Sequence, residues 1–148
     1  MKSPATVLLV EDNEDDVFLS LRVLEKVGIA PAHVSNGKDA MDYLAGRGVY
    51  RDRTLYPLPD VVLLDLKMPA YTGHEVLEWL RDQSELRGMK VYILTSSDEP
   101  RDRQRAEKAG AQGYFLKPLL PAHLSTIFEE RASEEKNSTG QSSIEAKA

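Results

Sequence analysis

The chain contains no cysteine. Disulfide staples, thiol nucleophiles and Cys-based metal centres are therefore excluded, and a reducing compartment is the natural fit. No apolar run comes near the ~20 residues that a membrane-spanning helix needs. Met1 to Thr6 holds neither the apolar stretch nor the small-residue cleavage site of a secretory leader. A soluble, cytoplasmic protein without membrane contacts is expected. Basic residues are in deficit, 19 Lys and Arg against 24 Asp and Glu, for a formal net charge of -5. Nucleic-acid binding usually needs a basic face. The one basic cluster, Arg101, Arg103, Arg105 and Lys108, is interleaved with Asp102 and Glu107 and reads as a solvated helix face. Histidine is also scarce: His33, His74 and His123 are scattered, and none is given a catalytic role.

What is present is a chain of one domain's size, 148 residues, with 41% hydrophobic residues to build a core. Strand and helix patterns alternate. Thr6 to Val10 and Val61 to Leu64 are short apolar runs, each ending in acid, as expected of strands buried on both faces. Ala32 to Val34, Val91 to Thr95 and Tyr114 to Leu116 are further strand candidates. Val17, Leu21 and Leu24 recur at helical spacing before Gly28. Shorter helices are predicted over 39–44, 75–81 and 101–109. A last helix begins at Pro121, a residue suited to a first helical turn, and runs through Phe128. Trp79 shares helical spacing with Val76 and Leu80 and belongs to the partly buried core. Five β-α repeats argue for an α/β fold with a parallel, doubly wound sheet. Ligands of such folds bind outside the carboxyl ends of the strands, where strand order reverses.

Two stretches depart from that pattern. Arg47 to Asp60, with Gly48, Pro57 and Pro59, is long for a helix-to-strand connection, which usually runs to ~2–6 residues. It is a functional element or a simple insertion. The domain proper is assigned to 1–130. The segment 131–148, rich in Ser, Glu, Lys and Gly, is predicted to be a disordered tail with a frayed helical start.

The chemistry lies at the strand ends. The first strand ends in Glu11 and Asp12, the third in Asp65, the fourth in Thr95 and the fifth in Lys117. In a parallel sheet these ends share one edge. Three converging carboxylates must be protonated or neutralised by a cation. Oxygen donors without His or Cys suit Mg2+. A carboxylate can attack phosphorus to give an aspartyl phosphate. A metal ion, a lysine and a hydroxyl then neutralise the charge on the transferred group. Asn13 to Asp16 is assigned to the start of the first helix alone, where acids favour the dipole.

The stretches LLVEDNEDD, VLLDLKMPAYTG, ILTSS and GYFLKP, in this order and spacing, resemble the receiver domains of two-component response regulators over roughly Val7 to Phe128. The resemblance implies a flavodoxin-like (βα)5 fold with strand order 2-1-3-4-5. It implies that Asp65 is the phosphoacceptor and that Asp12 and Asp65 bind Mg2+ directly. Glu11 would act through water, and Lys67 would lend its backbone carbonyl. Thr95 would hydrogen-bond the phosphoryl group, Lys117 would pair with it across a cis Lys117–Pro118 bond, and Tyr114 would be a switch aromatic that turns inward when Thr95 moves. The donor would be a sensor histidine kinase or phosphotransfer protein. The output would be altered contact with a downstream protein, or with a second copy, through the face from Arg101 to Phe128. Self-phosphorylation from small phosphodonors and autodephosphorylation are expected, without a classical enzyme activity. The long 47–60 segment and the NEDD stretch are similar to the small regulators that pair with bacterial phytochromes and hybrid kinases.

Other readings of the same residues stand beside this one. Tyr114 can be core packing as well as a switch, and Leu119 and Leu120 an interaction surface or plain packing. A phosphorylation-independent scaffold, or pseudo-receiver, would have no need of three facing carboxylates. A hydrolase with an aspartyl-phosphate intermediate would want an acid two residues after Asp65, where Lys67 stands. A flavodoxin-like cofactor binder would want a Gly-rich loop after the first strand, which is missing.

Overall fold

The computed structural model describes residues 5–138, with side chains up to residue 129. Its strands are β1 (Val7–Val10), β2 (Ala32–Val34), β3 (Val61–Leu64), β4 (Lys90–Thr95) and β5 (Gly113–Leu116). Its helices are α1 (Glu14–Lys26), α2 (Gly37–Ala45), α3 (Gly73–Arg81), α4 (Pro100–Lys108) and α5 (Pro121–Ser138). All strand pairs are parallel and the order is β2-β1-β3-β4-β5. This is the expected fold. Strand order reverses between β1 and β3, so the crevice at their carboxyl ends is the ligand position of such sheets.

Every residue of β1 and β3 is buried, because helices cover both faces. Alternate side chains feed two cores. Leu8, Val10, Val62, Leu64, Val91 and Ile93 point to the side where Leu44, Leu77 and Leu80 pack from α2 and α3. Val7, Leu9, Val61, Leu63, Tyr92 and Leu94 point to the other, against Leu24 of α1 and Leu124 and Ile127 of α5. Each buried leucine contributes roughly 1.5–3 kcal/mol, so these two layers hold the strand ends in fixed register.

Helix starts follow local chemistry. The Asn13 side chain accepts from the Asp16 amide, Asn36 from Asp39, and Thr72 forms a capping box with Glu75. The helix α4 begins on Pro100. Helices α2 and α3 start two residues earlier than the apolar periodicity indicates, because their first turns, at Gly37 and Gly73, carry no apolar repeat.

The 47–60 segment is folded. It holds a 3-10 turn over Gly48–Arg51 and a tyrosine cluster: Tyr50 lies 5.1 Å from both Tyr43 and Tyr56, ring centre to ring centre. Arg53 donates to the Tyr43 and Leu44 carbonyls at 2.8 Å, which closes the end of α2. The segment therefore serves as a packed extension of α2. The helix α5 runs past Phe128 to Ser138. Residues 139–148 of the expected tail lie outside the described residues.

Candidate functional site

The sheet ladder carries on beyond the strand ends and sets the site. The Glu11 amide donates to the Val34 carbonyl at 3.1 Å, Asp65 to Val10 at 3.1 Å, and Lys117 to Thr95 at 2.8 Å. Glu11, Asp12 and Asp65 thus converge, with carboxylate oxygens all within 4.8 Å of one another. Glu11 and Asp65 are buried, while Asp12 is exposed and opens the site to solvent.

Lys117 reaches into this acid group. Its Nζ lies 2.7 Å from Glu11 Oε1, 2.8 Å from Asp16 Oδ2 and 2.9 Å from Asp65 Oδ2. Burial pulls the ammonium pKa down, but the bonds to Asp16, Glu11 and Asp65 outweigh it and the net shift is upward. Lys117 is a permanent cation here. Burial raises the pKa of Glu11 despite its bond to Lys117. Four carboxylates thus face one ammonium, a strong excess of negative charge. Oxygen-only donors with that excess fit a hard divalent cation such as Mg2+.

Asp16 was assigned to the start of α1 alone, and that assignment is incomplete. Its amide does receive the Asn13 cap, but its carboxylate turns to Lys117, 101 residues away in sequence. Its position four residues after Asp12, at the end of the NEDD stretch, is the only sequence signal for it.

The loop after Asp65 is shaped by close backbone approach. A Cβ on Gly73 would lie 2.2 Å from the Asp65 carbonyl oxygen, and one on Gly37 2.3 Å from the Tyr71 carbonyl oxygen, so both positions require glycine. Ala70 and Tyr71 hold φ of 51° and 82°. Left-handed backbone at non-glycine residues costs on the order of 1–2 kcal/mol each, and such strain collects where a loop must hold a particular geometry. The Lys67 amide donates to Asp65 Oδ1 at 3.3 Å. The Lys117–Pro118 bond is cis.

The response regulator receiver domain family matches residues 7–129. The chain belongs to that family. The receiver is 35% identical over 136 residues to the probable methanogenesis regulatory protein FilR2 of Methanothrix harundinacea, covering 87% of this chain and 82% of the relative. Among solved structures it is similar to the bacteriophytochrome response regulator RtBRR, with 36% identity, a TM-score of 0.74, and 86% and 77% of the two chains covered. It is also similar to the Mn2+-bound form of response regulator Rcp1, with 29% identity, a TM-score of 0.69, and 84% and 88% covered.

The remaining expected residues lie on the strands β4 and β5 of this receiver. Thr95 is fully buried at the end of β4, and its Oγ1 accepts from the Ser97 amide at 3.4 Å. Tyr114 lies inward: its hydroxyl donates to the Ser97 carbonyl at 2.7 Å, and the Arg103 guanidinium stacks 4.4 Å from its ring centre. Burial raises the phenol pKa, so it stays a donor. Of the two leucines before α5, Leu119 is buried and Leu120 exposed.

Sequence reasoning also missed a polar chain here. Asp102 of α4 accepts from Ser97 Oγ at 2.5 Å and lies 3.1 Å from His74 Nε2. The bond from Ser97, then that from His74, holds the Asp102 carboxyl below its ordinary value. His74 is buried, and nothing in its sequence neighbours marked it.

Proposed function

We infer that this receiver is a phosphorylation-driven interaction switch with Asp65 as phosphoacceptor. A sensor histidine kinase or phosphotransfer protein presents a phosphoimidazole. An Asp65 carboxylate oxygen attacks phosphorus, the P–N bond breaks, and the electron pair returns to the imidazole, which takes up a proton. The observation that carries this reading is the Lys117 ammonium, bonded to Asp65 and Glu11 at one sheet edge and to Asp16 of α1 beside it. It screens the nucleophile from its acidic neighbours and stands ready to pair with the incoming phosphoryl oxygens.

Asp12 and Asp65 would hold Mg2+ directly, Lys67 by its carbonyl and Glu11 through water. Bound Mg2+ would neutralise phosphoryl charge. The acidic group and the Mn2+-bound relative support a divalent site. Thr95 would donate its hydroxyl to the phosphoryl group, drawing with it the loop that carries the Tyr114 partner Ser97. That movement would alter the face from Arg101 to Phe128, through which a downstream protein or a second copy binds. The receiver domain is assigned to residues 1–130, with α5 continuing past that boundary to Ser138.

Intact-mass analysis after incubation with a small acyl phosphate tests this. One phosphoryl group should be gained, only with Mg2+, and not by Asp65→Asn. No modification of the wild type would instead favour a scaffold that works without phosphorylation, and modification that persists in Asp65→Asn would mean that another acid is the acceptor.

A further inference from the structure

The chain His74–Asp102–Ser97 joins three elements. His74 is the second residue of α3, directly after Gly73, whose Cα is pressed against the Asp65 backbone. Asp102 lies in the first turn of α4. Ser97 lies in the β4–α4 loop, two residues after Thr95, and its carbonyl holds the inward Tyr114 hydroxyl. The segment carrying the phosphoacceptor and the loop holding Tyr114 are thus tied by two successive side-chain bonds.

The histidine has no other polar duty. Its Nδ1 is buried and meets no partner among the described residues, while its Nε2 faces the Asp102 carboxylate, an acceptor only, and so acts as the donor to it. A site 6% exposed would ordinarily favour an aliphatic residue. An imidazole with one nitrogen unsatisfied is a poor choice for packing alone. The bond to Asp102 is what distinguishes it.

We propose that His74 is a positioning residue which, through Asp102 and Ser97, braces the β4–α4 loop in the arrangement that keeps Tyr114 inward, biasing this receiver toward its switched state before any phosphoryl group arrives. The inference rests on the phosphoacceptor reading for its functional meaning, although the brace itself does not. Contacts stabilise the arrangement in which they occur. A ligand that prefers that arrangement binds more tightly when it is already populated. A hydrogen bond to a charged group is strong enough for its loss to shift such an equilibrium about tenfold.

The test compares wild type, His74→Leu, which fills the same buried space without a donor, and His74→Gln, which restores one. Ser97→Ala cuts the chain at its other end, so the question remains answerable if His74→Leu does not fold. Two quantities are measured: amide hydrogen exchange over 96–103 without ligand, and the affinity for beryllium fluoride, an inert phosphoryl mimic, at saturating Mg2+. The brace predicts faster exchange and weaker mimic binding in His74→Leu and Ser97→Ala, the two factors multiplying to about ten. It also predicts near-wild-type values in His74→Gln, no further loss in the double variant, and unchanged affinity for Mg2+ alone. Unchanged exchange in both cutting variants overturns the brace. Faster exchange with unchanged mimic affinity overturns its coupling to the switch. A wild type that takes no beryllium fluoride refutes the phosphoacceptor reading instead, and exchange alone then decides the brace.

Discussion

Replacing Lys117 by methionine isolates the charge of the site from its packing, since the two side chains are of similar length. The ammonium bonds three carboxylates, and the two in β-strand termini are nearly inaccessible: the Glu11 side chain is 1% exposed and that of Asp65 6%. Removing one partner of a buried ion pair costs ~3–5 kcal/mol, because the other charge is left without compensation. The lower end applies here. Asp16 is partly exposed, and Glu11, whose carboxyl pKa is already raised by burial, can take up a proton. A loss of about 3 kcal/mol is therefore expected near neutral pH without Mg2+, a large share of the 5–15 kcal/mol of a typical domain. Lys117 lowers the Glu11 carboxyl pKa against the larger raising by burial, so its removal raises that pKa further, and the variant regains more stability than the wild type as pH falls through the raised value. The deficit of the variant should shrink there, and shrink again with Mg2+, which the unscreened carboxylates should bind more tightly than the wild type does. Urea unfolding in these conditions reads all of it. An equal loss at both pH values, with and without Mg2+, would refute the electrostatic account and make Lys117 a packing residue.

Arg81 donates to the carbonyls of Arg87, Met89, Ala109 and Gly110, tying the end of α3 to the turns before β4 and β5. Arg81→Ala should cost about 3 kcal/mol in urea unfolding, and Arg81→Lys should recover little, since a point ammonium cannot replace the planar fork. The Asp102 carboxyl is held below its unfolded value, so its contribution is complete above roughly pH 4 and lost as pH falls through the folded value. Asp102→Asn should lower stability by about 1 kcal/mol near neutrality and flatten the acid limb of the stability profile; an unchanged limb would count against the His74 and Ser97 bonds. Asp16→Asn removes one of the four carboxylates at a partly exposed position. Its stability should change by less than about 1 kcal/mol, while Mg2+ affinity measured by calorimetry falls about fivefold, and an unchanged affinity would place Asp16 outside the metal's field.

The sheet was legible because its strands are short apolar runs ending in polar residues of a fixed kind. Val7–Val10 and Val61–Leu64 could hardly be anything but buried strands, and β-α alternation leaves one sensible sheet for five of them. Helix starts at Gly37 and Gly73 were less legible. Both glycines are there for backbone contact with the 65–72 loop, a tertiary demand that helical periodicity does not register. The 47–60 segment stood out only by its length, because its order comes from Tyr43, Tyr50, Tyr56 and Arg53 meeting in space, with no local period to announce it.

The same division runs through the site. Glu11, Asp12, Asp65, Thr95 and Lys117 follow directly from strands, and a parallel sheet brings strand ends to one edge whatever the helices do. Placing them needed only the topology. Asp16, Asp102 and His74 are carried by helices, and their reach depends on how each helix is rotated and how far it slides along the sheet. Those quantities are set by the fit of side chains such as Leu24, Leu77 and Ala106 into the two cores, which no spacing rule encodes. Strand-borne groups therefore define what chemistry the edge can perform. Helix-borne groups decide how strongly Lys117 is held and how firmly the loop after Thr95 is fixed. Receivers with the same strand-end residues can accordingly differ in what surrounds them, and in this chain those surroundings are Asp16 and the His74–Asp102–Ser97 chain.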